Sequence, residues 1–223
     1  MPNGLFPLVV LAAILRPVVG PAVAEDNDGA SRAFARYLAT VQRASTWSPE
    51  TIEIDASLPK LRKQGHLRAI RRISASGDAD YQVLEIAGDR TVRQQVIARY
   101  LSAQMTAAEI PASTVAITPA NYEFRYKGIV MMGDTVAYAF QIKPLKKRLG
   151  LMSGELWIEP GTGAAIRQSG QLVKSPSIFV KRVDITRETE LSEGIAQVLH
   201  THLSVDTRLV GVADLNITES PMR

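Results

Sequence analysis

Hydrophobic and polar positions alternate with a period of two over most of this chain, interrupted by two stretches of helical period. The alternation is most sustained from Val136 to Val183. Tyr138, Phe140 and Ile142 alternate with small or polar residues, and Leu156 and Ile158 alternate with Glu155, Trp157 and Glu159. Ile166 and Leu172 anchor a third run, and a fourth begins at Ile178. Short period-two runs bounded by Gly, Pro and Lys predict an antiparallel meander of four strands, joined by two basic turns and one glycine turn.

The flanking chain extends the pattern. Glu25 to Gly29 reads as an acidic, flexible start. Ser31 to Arg43 reads as a helix, with Phe34, Leu38 and Val41 on one face, Tyr37 beside them, and Arg32, Arg36 and Arg43 elsewhere. It should end before Ser48-Pro49. Thr51 to Ser57 is a half-buried strand, Leu58 to Gly65 a basic connector, and Leu67 to Ser74 a strand with a poor pattern, because Leu67, Ile70 and Ile73 recur every third residue. After a turn at Gly77-Asp78, Asp80 to Ala87 is a third strand. Thr91 to Ala108 is the strongest helix, capped by Asp89 and striped by Val92, Val96, Tyr100 and Ala103, with Ile97 and Leu101 alongside and Pro111 beyond its end. Ser113 to Thr118 reads as a short strand, and Tyr122, Phe124 and Tyr126 mark another. After the meander come Phe179 to Glu190, a turn at Glu193-Gly194, Ala196 to Thr207 and Val210 to Thr218. The expected class is mainly β: one antiparallel sheet of about ten strands and two helices in a single domain.

Residues 1–24 change the picture of what is mature protein. Leu5 to Leu15 is an apolar run of signal-peptide length, and Ala22-Val23-Ala24 supplies small residues, predicting cleavage between Ala24 and Glu25 and a domain over 25–223. Eleven apolar residues fall short of the ~20 that span a bilayer. The 26 basic and 22 acidic residues give a net charge of +4. Without Arg16 in the leader, 25 basic residues remain against 22, a net +3. This mild excess permits anionic contacts and does not argue for nucleic acid. Cysteine is absent, which excludes disulfides, thiolate metal sites, cysteine nucleophiles and a lipidated N-terminal cysteine. An exported chain without cysteine fits a bacterial envelope, and the expected location is periplasmic or secreted.

Chemistry-bearing clusters are few. Lys143, Lys146, Lys147 and Arg148 form a basic turn, readable as a contact for anionic headgroups or an acidic partner, or as a solvated hairpin tip that discourages edge pairing. Arg68, Arg71 and Arg72 carry the same two readings, with a solvated face the favoured one. Lys174, Ser175 and Ser177 place serine beside lysine, but a Ser–Lys hydrolase needs a held base and an oxyanion hole, and Pro176 reads as a strand terminator. His200 and His202 share a strand face with Asp206 near, too few ligands for a metal site and more simply two hydrogen-bonded histidines. Gly161-Thr162-Gly163 is a hairpin turn, since no helix follows it. Trp157 faces away from Leu156 and Ile158, so either both faces of its strand are covered, the favoured reading, or it is partly exposed. No catalytic residue, metal or cofactor is expected.

The element order, together with Tyr138 to Pro144, Gly154-Glu155-Leu156-Trp157-Ile158, Thr162-Gly163, Leu172 to Ser177, Arg208-Leu209-Val210-Gly211 and Leu215-Asn216-Ile217, resembles the LolA-like envelope proteins, which sort outer-membrane lipoproteins. The resemblance spans most of the chain after the leader. It implies an unclosed antiparallel β-barrel with helices over its open side and an apolar cavity carrying lipid or acyl chains. It resembles the soluble carrier, since the anchored receptor needs a lipidated cysteine. No gating arginine maps onto one position. Independently, a ten-stranded sheet covered by only two helices leaves room for a ligand, with Phe34, Leu38, Val96, Tyr100, Phe140 and Trp157 as candidate lining. The expectation is a monomeric, non-enzymatic carrier of a lipid or acylated protein cargo, handed to a membrane or envelope-protein acceptor. The alternatives are an interaction module without a cavity and a hydrolase in which Ser175, Ser177, His200, His202 and Asp206 converge.

Overall fold

In a computed structural model, residues 22–42, 50–73, 79–192, 195–208 and 210–221 are described. Helix α1 spans Ala22–Gln42. Three strands follow, β1 (Glu50–Leu58), β2 (Lys63–Ile73) and β3 (Ala79–Gly88). A helical run then comprises α2 (Arg90–Val92), a π-helical turn (Arg93–Ile97) and α3 (Ala98–Ala108), and a short α4 spans Ala112–Val115. The rest is β4 (Tyr122–Met132), β5 (Thr135–Pro144), β6 (Met152–Ile158), β7 (Ala165–Leu172), β8 (Val180–Ser192), β9 (Ile195–Thr207) and β10 (Gly211–Pro221).

All ten strands form one sheet in the order β3-β2-β1-β10-β9-β8-β7-β6-β5-β4, antiparallel throughout. Its two edges, β3 and β4, do not pair with each other, so the sheet is unclosed. Helices cover one face, as expected from the sequence. The inward residues Ile52, Ile54, Leu67, Leu215 and Ile217 pack with Val92, Val96 and Ile97 of the α2–α3 run. A second core joins Ala30, Ala33 and Tyr37 of α1 to Tyr122, Phe140, Ile142, Leu156 and Ile158. Each helix therefore buries its apolar stripe on its own half of the sheet.

Several expectations are corrected. The acidic start at 25–29 is helical, and α1 reaches back to Ala22, past the expected cleavage point. Acidic residues in the first turns of a helix complement its dipole. The expected strand at Ser113 to Thr118 is instead α4. The Thr114 hydroxyl donates to the Pro111 carbonyl, and the Asn121 amide donates to the Ser113 and Ala116 carbonyls, so local side chains satisfy this backbone in place of a ladder. The basic connector shrinks to a 3-10 turn at Pro59–Leu61 plus Arg62, because β2 starts at Lys63. The poor pattern of β2 has a cause. Leu67 and Ala69 are fully buried and Arg71, two residues on, follows them inward to the buried Glu50 and to Glu219, so Arg71 is not a solvated arginine. The expected turns at Gly77-Asp78 and Glu193-Gly194, the end of the first helix near Ser48-Pro49, and residues 1–21 lie outside the described residues.

Candidate ligand-binding face

Backbone pairing defines a row of residues that crosses the concave face from edge to edge. It runs Tyr126–Phe140–Leu156 on β4 to β6, Gln168–Arg187–Thr201 on β7 to β9, and Ile217–Ile54–Leu67–Ile86 on β10 to β3. The outer thirds of the row are apolar and most of their residues join the cores beneath the two helices. The middle third is polar, and neither core includes it. Thr201 is buried, Gln168 half-buried and Arg187 exposed.

Arg187 makes no hydrogen bond or ion pair among the described residues. Its charge is nonetheless felt on both sides. It opposes the upward shift that burial imposes on Tyr100 of α3, on Tyr122 of β4 and on Glu219 of β10. One cation thus stands between the two halves of the molecule. Around Glu219 lies a tighter group: Arg71 donates to Glu219 at 2.8 Å and also to Glu50, which is 4% exposed. Burial pushes the Glu219 carboxyl above its ordinary range. Arg71 opposes this shift and Glu50 adds to it.

The sequence-derived lining residues fall into separate places. Phe34, Leu38 and Phe140 belong with the α1 core, where the Phe34 ring lies 4.7 Å from Phe124 and 5.3 Å from Phe140. Val96 and Tyr100 belong with the α2–α3 core. Trp157 lies between the inward Leu156 and Ile158 and joins neither core, a correction to its reading as cavity wall. The Arg167 guanidinium sits 5.0 Å over its ring and its indole N–H donates to Glu155, which is how this half-buried aromatic is covered on the outer face. Lys143, Lys146, Lys147 and Arg148 are exposed at the end of the sheet.

Apart from Trp157, the expected lining side chains pack into the two cores beneath the helices. Two pockets open elsewhere: one of ≈ 350 Å³ by Thr51, Glu53 and Arg68, and one of ≈ 540 Å³ between Lys174, Lys181 and Arg208. The hydrolase group does not converge. The Ser175 hydroxyl donates to the carbonyls of Ser177 and Val180, and the Ser177 hydroxyl accepts from the Phe179 amide. His200 is bonded to Thr218 and Glu190, His202 to Asn216, and Asp206 lies 3.6 Å from Lys181. No cluster of potential metal ligands occurs among the described residues, and none of their helices is long and apolar enough to cross a membrane.

Chemically, the middle third of the row presents one cation and two neutral hydrogen-bonding groups between apolar walls. That set matches an anionic or carbonyl head carrying apolar chains. Arg187 went unnoticed in the sequence, although the signal was there: it occupies the apolar phase of Val183, Ile185 and Arg187.

No family model and no curated protein matches the chain. Solved structures do. A LolA superfamily protein from Nitrosomonas europaea is 12% identical, with 87% of this chain and 94% of that one covered and a TM-score of 0.39. An outer membrane lipoprotein-sorting protein domain from Vibrio parahaemolyticus is 8% identical, over 87% of this chain and 92% of that one, with a TM-score of 0.38. MucB is 11% identical, over 89% and 94%, with a TM-score of 0.30.

Proposed function

We propose that this chain is a carrier of the cell envelope that binds a lipid or acylated molecule against its concave face and moves or presents it. The row that places Gln168, Arg187 and Thr201 between two apolar flanks is the observation that carries this reading. Acyl chain would lie along the flanks, at ~0.8 kcal/mol per buried methylene, with its polar head at Arg187. Because α1 packs its apolar residues directly on the sheet, loading requires that helix to lift from it.

Its attachments are few enough for this. Among the described residues, Arg36 donates to the Pro160 carbonyl at 2.6 Å and its charge acts on Glu159, the Tyr37 hydroxyl donates to the Ile117 carbonyl at 2.9 Å, and Ala30, Ala33 and Tyr37 add apolar contact. Export by the leader, with cleavage between Ala24 and Glu25, would release a monomer over 25–223 outside the cytoplasm. Handover needs a membrane or envelope protein with a better-matched site.

A second reading is favoured by the packing of Phe34 onto Phe124 and Phe140, which places aromatic side chains where a ligand would lie. In it the chain is an interaction module without a small ligand. Native mass spectrometry of protein purified from the envelope without detergent separates the two. A bound mass in the lipid range, lost on denaturation, supports the carrier. A bare mass, with no uptake of added phospholipid or lipopeptide, overturns it in favour of the module.

A further inference from the structure

Among the described turns, the two ends of the sheet differ in charge. Four connections emerge at the end where β1, β5, β7 and β9 finish: residues 59–62, 145–151 and 173–179, and the described residues Arg208 and Val210 between β9 and β10. Together they hold seven Lys and Arg, namely Lys60, Arg62, Lys146, Lys147, Arg148, Lys174 and Arg208, and no Asp or Glu. The turns 133–134 and 159–164 at the opposite end hold Asp134 and Glu159 and no Lys or Arg. Two acids that border the basic end, Asp89 and Asp206, are each within salt-bridge reach of a lysine, at 3.3 Å from Lys63 and 3.6 Å from Lys181.

The basic end is also apolar at its tips. Ile178 is 79% exposed and Phe179 51%, and Leu61, Leu145, Leu149 and Val210 are exposed beside them. The loop carrying Ile178 and Phe179 is held in place. Arg208 donates from its backbone amide to the Phe179 carbonyl and from Nε to the Ile178 carbonyl, both at 2.9 Å, while Ser175 donates to the Val180 carbonyl. These bonds hold the carbonyls of Ile178, Phe179 and Val180, while the Ile178 and Phe179 side chains face solvent. Neighbouring turns are in contact. Val173 donates to the Leu151 carbonyl at 3.0 Å, and the Lys60 stem lies over Gly211, where an added Cβ would come within 2.7 Å of it.

The geometry points to this rim as a docking surface for an anionic phospholipid bilayer, with Ile178 and Phe179 entering the headgroup–acyl boundary and the surrounding cations meeting phosphates. A protruding apolar pair with Lys174, Lys181 and Arg208 beside it, on an end whose other turns are basic, suits a fluid interface that closes around it, and both attractions act together there. The inference stands whether or not the concave face carries a lipid.

The test uses the absence of native cysteine, which makes a single introduced thiol unique in the full chain. An environment-sensitive fluorophore is placed on Ile178→Cys and, separately, on Asp134→Cys at the opposite end. With phosphatidylglycerol-containing vesicles, the emission of the first should shift to the blue and that of the second should not. The shift should weaken with added salt and with pure phosphatidylcholine. Lys146→Glu, Lys147→Glu and Lys174→Glu combined should raise the lipid concentration needed by at least about tenfold. No shift at position 178, an equal shift at both positions, or an equal response to phosphatidylcholine overturns the proposal. A shift with polyglutamate but not with vesicles also overturns it and assigns the rim to an acidic protein.

Discussion

Gly154 on β6 faces Gly170 on β7, and a Cβ added to Gly154 would sit 2.0 Å from the Ser169 carbonyl oxygen. Neither strand has room for a side chain at this pair. Glycine is therefore needed here for close backbone approach, in the row that continues to Ile142 on one side and Ile185 on the other. Gly154→Ala should destabilise the protein by about 1–3 kcal/mol, as overpacking does. A lower urea midpoint at unchanged slope checks it.

Arg71 serves two carboxylates, the buried Glu50 and the largely buried Glu219. Arg71→Met would leave both without their cation, at a cost of about 3–5 kcal/mol, whereas replacing all three by apolar residues of similar volume should cost far less. The pH dependence follows from Glu219. Its pKa is raised, by burial first, so the folded state holds its proton more tightly than the unfolded chain. The corresponding stability is present below the unfolded value of ~4.3 and is lost as pH rises through the folded one. Relative to wild type, Glu219→Gln should thus gain stability as pH rises across that window, as urea midpoints at successive pH values will show.

Gly163, at a φ of +74°, lies against α1: an added Cβ would come within 2.5 Å of the Arg36 Cβ and 2.6 Å of the Tyr37 nitrogen. Gly163→Ala should push α1 from the sheet while leaving the strand ladders intact. Hydrogen exchange is expected to speed up over 27–41 by at least about tenfold, with β1 and β10 unchanged.

Arg187 offers the concave face its unpaired cation. Arg187→Leu should weaken binding of an anionic lipid by roughly tenfold or more, the equivalent of losing one charge-assisted hydrogen bond. Binding of an uncharged lipid of equal chain length should change little. Titration of both lipids against both proteins measures the difference.

Local pattern was enough to read the strands. Tyr138, Phe140 and Ile142 alternate because one face of β5 is covered and the other is not, and such alternation is visible without any partner. The helix of Val92 and Val96, its Asp89 cap and the sheet's antiparallel class were legible for the same reason. Other features depend on which strands become neighbours. Arg71 reads as an ordinary surface cation until the register sets it beside Glu50, and the apolar phase that Arg187 shares with Val183 and Ile185 gains its meaning only when pairing places it between Gln168 and Thr201. The division of the expected lining into two cores arises because α1 and the α2–α3 run each pack on a different half of the sheet, a choice made by contacts distant in sequence. The basic rim has the same origin: its four turns are scattered along the chain, and antiparallel pairing alone brings them to one end.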